Sequence, residues 1–185
     1  MRRRDFLQCL AAGSAFLLIP VQLRADSLLR PGNIVSLRCL GNVAGPRYLD
    51  GRTANATVGL APDLSKGFSG TKWKVFNGGR GTLALQCLGN VEGPRWLDGR
   101  TGDGTVGLAP STNKPFTGTR WQVIPLDNND PNIVGLKCLG EINGPRFLDG
   151  RTGNGSVGLA QNTDPPFTGT KWEVRMYPVC IDSPC

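Results

Sequence analysis

One 36-residue passage is written three times in this chain, at Leu40–Val75, Leu88–Val123 and Leu139–Val174, with no insertion inside any copy. Each copy holds a Gly-Pro-Arg-aromatic-Leu-Asp-Gly-Arg-Thr block, then Val-Gly-Leu-Ala, then Gly-Thr-Lys/Arg-Trp-x-Val. Units of this length bury their apolar faces against one another, so the period constrains the fold before any single residue does. Three copies point to a closed threefold object rather than an open array.

Residues 1–25 are set aside before the fold is considered. Arg2, Arg3 and Arg4 precede an apolar run, Cys9–Val21, and Leu23-Arg24-Ala25 offers a small-residue exit. This order describes a secretory signal, too short for a stable span. Arg3, Arg4, Phe6 and Leu7 resemble the twin-arginine export signal of bacteria. The expectation is an exported protein, periplasmic or extracellular, with no membrane span in the mature chain. Residues 26–178 then form one domain of ordinary size, with repeat units at about 32–76, 80–124 and 131–176. Residues 179–185 form a short tail. The leader carries four arginines against one aspartate, so the net charge falls from +7 to +4 on its removal. A surplus this small argues against a nucleic-acid partner.

Cys39, Cys87 and Cys138 occupy the same place in each repeat. Threefold-related positions lie too far apart to bridge, so buried thiols are expected there. Cys180 and Cys185 are spaced to close a small loop as a disulfide. The chain has no histidine, and the cysteine spacing fits no zinc pattern.

In the third copy, Ile133–Leu139 alternates as a strand and Gly144-Pro145 marks a turn. Arg146–Asp149 reads as a second strand, Gly150–Gly155 as a glycine-rich turn, Ser156–Ala160 as a third strand and Thr170–Val174 as a fourth. Four short strands in each of three copies give an all-β chain of twelve. The arrangement expected is a β-trefoil, in which the first and fourth strands build a six-stranded barrel and the second and third form capping hairpins. Trp73, Trp121 and Trp172 are expected in the core.

Leu-Asp, a glycine turn, Val-x-Leu and a Trp-bearing strand resemble the ricin-type lectin repeat, and the aromatic-Leu pair is similar to fascin-like trefoils. The resemblance covers roughly Gly32–Met176. It implies a fold and, through Asp50, Asp98 and Asp149, carboxylates that receive sugar hydroxyls. Two elements of the lectin pattern are replaced. Ala61, Ala109 and Ala160 stand where an aromatic platform is usual, and Thr71, Thr119 and Thr170 stand for the Gln of the Gln-x-Trp signature.

A substitute platform comes from alternation. If Leu97 faces the core, Trp96 and Asp98 share the opposite face, with Tyr48 and Phe147 as the equivalents of Trp96. The competing reading places these aromatics in the lower layer of the barrel. Arg47, Arg95 and Arg146 precede the aspartates by three residues, and Arg52, Arg100 and Arg151 follow by two. Each set reads either as a tie to an aspartate or to turn carbonyls, or as an Arg–Asp couple gripping a ligand.

The absence of histidine removes histidine-based acid–base schemes. One repeated acid per copy does not make the paired carboxylates of a glycosidase. Asp98–Gly104 lacks the alternating ligands and distal glutamate of a helical calcium loop. The expectation is a non-enzyme without cofactor or metal. Two functions fit it. One is a secreted carbohydrate-binding module with up to three weak sites. The other is a protein–protein module recognising its partner through the variable loops Pro62–Gly67, Pro110–Pro115 and Gln161–Pro166.

Overall fold

The computed structural model describes residues 28–177. The leader over 1–25 and the Cys180–Cys185 pair of the tail lie outside these residues. The first copy supplies β1 (Ile34–Cys39), β2 (Tyr48–Arg52), β3 (Thr57–Ala61) and β4 (Trp73–Gly79). The second supplies β5 (Thr82–Cys87), β6 (Trp96–Arg100), β7 (Thr105–Ala109) and β8 (Trp121–Pro125). The third supplies β9 (Ile133–Cys138), β10 (Phe147–Arg151), β11 (Ser156–Ala160) and β12 (Trp172–Met176).

Six of these strands close on themselves. β1 pairs with β4, β4 with β5, β5 with β8, β8 with β9, β9 with β12, and β12 with β1, all antiparallel. Closure removes the exposed edges that an open sheet would carry. The other six strands form the hairpins β2–β3, β6–β7 and β10–β11. These meet around the threefold axis, where Leu60 N–H bonds Gly155 O, Leu108 N–H bonds Ala56 O, and Leu159 N–H bonds Gly104 O. The chain is a β-trefoil, as the repeats led one to expect.

Strand alternation fills the barrel. Val35, Leu37 and Cys39 of β1 are buried, as are their counterparts Leu83, Leu85 and Cys87, and Val134, Leu136 and Cys138. Trp73, Trp121 and Trp172 have no exposed surface. A buried indole needs a partner for its N–H. Each finds one in the hairpin of its own copy, the carbonyls of Leu49, Leu97 and Leu148, at 2.9, 3.0 and 2.9 Å.

The repeat cysteines are free and buried. Each touches the hairpin of the preceding copy around the axis. Cys138 Sγ lies 3.3 Å from Gly99 O, Cys87 Sγ 3.3 Å from Gly51 O, and Cys39 Sγ 3.3 Å from Gly150 O. The contact explains the glycine after each aspartate. A Cβ on Gly99 would stand 2.8 Å from Cys138 Sγ.

The hairpins run further than the sequence led one to expect. In the third copy the expected turn begins at Gly150, yet β10 continues through Arg151, which pairs with Ser156. The turn is shorter because Asn154 Oδ1 accepts from both the backbone N–H and the hydroxyl of Ser156, folding the chain back early. The fourth strands start later than expected, at the tryptophan. The residues before it form a 3-10 turn, such as Thr168–Thr170. There Thr170 Oγ1 donates to Phe167 O at 2.8 Å, the role taken by the threonine that replaces the lectin glutamine.

Candidate functional site

β6 carries the middle copy's candidate residues. Leu97 points into the core with no exposed surface, so Trp96 and Asp98 share the other face. Trp96 is half-buried. Phe76, arriving on β4 from the copy before, meets it edge-on with ring centroids 5.0 Å apart and an interplanar angle of 66°. The two rings line a hollow of about 480 Å³, joined by Phe116, Asn77, Asn113, Lys114 and Arg120. Three aromatic rings together with amides and cations make a lining able to take a ligand that has an apolar face and polar groups.

Asp98 lies in a second hollow of about 270 Å³, with Arg100, Thr101, Asp103 and Ile142. Phe116 and Thr117 line both hollows and form the wall between them. Trp96 and Asp98 therefore share a face but sit on opposite sides of that wall. The third copy repeats the smaller hollow, about 270 Å³, around Asp149, Arg151, Asn154 and Phe167.

The aspartates are set in partly desolvated surroundings. Burial pushes the carboxyls of Asp50, Asp98 and Asp149 above their ordinary range, and Arg52, Arg100 and Arg151 draw them part of the way back. Arg52 Nε stands 3.7 Å from Asp50 Oδ2, and Arg151 Nε 3.8 Å from Asp149 Oδ2. The Arg–Asp couple of the first and third hairpins is thus formed by the arginine two residues after the aspartate, and in the middle copy Arg100 acts on Asp98 through its charge. The Arg52 guanidinium also lies over the glycine of Val-Gly-Leu: a Cβ on Gly59 would stand 2.7 Å from Arg52 Nη2.

Arg47, Arg95 and Arg146 do different work. Arg95 Nη1 donates to Cys87 O at 3.2 Å and Gly89 O at 2.7 Å, and Nη2 donates to Val91 O at 2.9 Å. Arg47 and Arg146 repeat the pattern on Cys39, Gly41 and Val43, and on Cys138, Gly140 and Ile142. Their charge is directed at loop carbonyls, and none of the three lines the hollows around Trp96, Asp98 or Asp149. Of the two readings given them, the tie to turn carbonyls is the one the geometry takes up.

The equivalents of Trp96 have other neighbours. Tyr48 pairs across the sheet with Arg38, which is 3.3 Å from Glu173. The Lys137 ammonium lies 5.8 Å from the centre of the Phe147 ring. Sequence reasoning missed Phe76, Asn77, Phe116 and Arg120, while Asn113 and Lys114 fall in the loop Pro110–Pro115 that it named for a protein partner. Phe116 had a signal, since Phe68 and Phe167 repeat it. Phe76 had none inside the repeated block, because Ile124 and Arg175 stand at its place in the other copies.

Fold and hollows together define a β-trefoil with an aromatic depression on its middle copy. No family model matches the chain, and no curated protein matches its sequence. Solved structures do match. One is the BEL β-trefoil in an apo crystal form, with TM-score 0.59 and 19% identity over 83% of this chain and 99% of that one. Another is the GlcNAcα1-4Gal-releasing endo-β-galactosidase of Clostridium perfringens, with TM-score 0.59 and 13% identity over 79% of this chain. This chain spans 33% of that enzyme's length. At these identities the likeness is one of fold.

Proposed function

We propose that this protein is an exported, non-catalytic carbohydrate-binding module, with its principal site on the middle copy. One observation carries the reading. Trp96 faces solvent in a hollow with Phe76 and Phe116, while the other three tryptophans are wholly buried. A sugar ring has an apolar C–H face that packs on such rings, and hydroxyls that suit the amides of Asn77 and Asn113. The adjoining Asp98 hollow offers a carboxylate to a second residue of the same glycan. The Asp149 hollow supplies a further weak contact, and several weak contacts on one glycan surface reinforce one another. The non-catalytic assignment rests on the sequence, which has no histidine and one repeated acid per copy. The export assignment rests on the leader motif. The galactosidase of similar fold acts on a glycan, which agrees with this reading at the level of the fold family.

The test is a glycan array probed with the purified protein, with Trp96→Ala and Asp98→Ala beside it. The reading expects a defined set of bound glycans, lost in the Trp96 variant and weakened in the Asp98 variant. A blank array from folded protein overturns it. A second reading, protein recognition, has its own observation. Val43, Val91 and Ile142 stand 59%, 54% and 65% exposed at equivalent loop tips. Apolar tips of this kind suit a protein surface, and Val91→Ser, at the tip that lines none of the three hollows, would leave glycan binding intact if the first reading holds.

A further inference from the structure

We infer that the ligand of the Trp96 hollow is an acidic saccharide, one carrying a carboxylate or a sulfate ester. The inference rests on the carbohydrate reading and narrows it. Lys114 and Arg120 line the hollow, and no aspartate or glutamate is among its lining residues. A third cation lies over one of the lining rings, where Lys74 Nζ is 5.4 Å from the centre of Phe76. Among the described residues Lys114 has one acidic neighbour, Glu141, at 3.9 Å, with both side chains largely exposed. A pair so exposed holds its partners weakly, and the ammonium stays free to turn to a ligand. A neutral sugar would leave this concentration of positive charge unanswered. An acidic one places its anion against Arg120, whose planar fork matches carboxylate and sulfate oxygens, while its ring packs on Trp96.

The combination of rings, amides and cations is particular to this copy, although the first copy keeps a cation at both places, Lys66 and Lys72. The threefold equivalents of Asn113 and Lys114 are Ser65 and Lys66 in the first copy, and Asp164 and Pro165 in the third. Lys72, the first-copy equivalent of Arg120, has its ammonium 5.1 Å from the centre of the Tyr177 ring. Aromatic platform, amides and weakly paired cations thus coincide on the middle copy. Threefold packing does not require this, since the other two copies fold without it.

The test measures affinity by calorimetry for matched oligosaccharides: an oligogalacturonate, its methyl ester, and a sulfated galactan beside its desulfated form. Trp96 fluorescence is followed in parallel. The inference expects the acidic members to bind at least tenfold more tightly than their neutral partners, with affinity falling as salt rises. Arg120→Gln and Lys114→Gln should each cut that affinity about tenfold while leaving the melting temperature in place. Preference for the carboxylated or the sulfated member identifies which anion the site takes. Equal binding of acidic and neutral members, unchanged in both variants, overturns the inference and leaves the carbohydrate reading standing. If no saccharide on the array or in this set binds, both fall.

Discussion

The Trp121 indole nitrogen donates a 3.0 Å hydrogen bond to the carbonyl of Leu97, the residue between Trp96 and Asp98 on β6. A core side chain on the fourth strand of the copy thereby fixes the strand that carries both candidate site residues. Trp121→Phe keeps much of the ring but removes the donor, leaving a buried carbonyl unpaired. The expected cost is roughly 2–4 kcal/mol of stability, read from urea denaturation. Glycan affinity should fall as well, because β6 loses its anchor. Trp172→Phe, acting on Leu148 in the third copy, should cost similar stability and leave binding at Trp96 intact.

Arg95 provides the contrast. Its guanidinium joins three carbonyls of the Cys87–Val91 loop. Lysine cannot span them, so Arg95→Lys should lose roughly 1–3 kcal/mol. Calorimetric affinity of the folded protein for its glycan should stay within twofold. A large affinity loss at unchanged stability would return Arg95, and with it Arg47 and Arg146, to the binding residues.

The Asp98 carboxyl gives a pH signature. Burial raises it above its ordinary value of 3.8, so the folded protein holds this proton more tightly than the unfolded chain. Such a group supports the fold below 3.8, and the support is lost as pH rises through the raised folded value. Asp98→Asn carries no such proton. The stability of the variant relative to the parent should therefore improve as pH climbs from below 3.8 to neutrality. Asp103, exposed and held low by the Thr105 hydroxyl, acts in the opposite sense below 3.8 and cancels in the comparison. A pH-independent difference would contradict the burial described for Asp98.

The thiols offer a test of the inter-copy packing. Cys39, Cys87 and Cys138 have no exposed surface, and burial pushes each thiol up, away from the reactive thiolate. Alkylation of the native protein, mapped by mass spectrometry, should leave these three unmodified for hours, and denaturant should release all three together. Early labelling of one would show that its copy is not docked on the hairpin before it.

Much of this architecture is legible in the repeated sentence. Trp73, Trp121 and Trp172 announce the core because threefold packing demands the same residue at each equivalent position. Leu97 between Trp96 and Asp98 fixes which face of β6 looks outward. The site was less legible for two physical reasons. A residue that recurs in all three copies looks the same whether it packs or binds, so Arg95 could not be told from Arg100 until the path of the loop was known. And the hollow is built where the copies diverge. Phe76 belongs to the copy before Trp96, and only closure of the barrel brings β4 and β6 together.

Fluorescence quenching of Trp96 is the most direct test of the central claim. Four tryptophans emit, and Trp73, Trp121 and Trp172 have no exposed surface, so a neutral collisional quencher such as acrylamide should reach Trp96 alone. The account expects a single accessible fraction, absent in Trp96→Phe, that becomes protected when a glycan selected from the array is added at saturation. A saturating glycan that leaves Trp96 as accessible as before would place binding elsewhere on the trefoil and contradict the account.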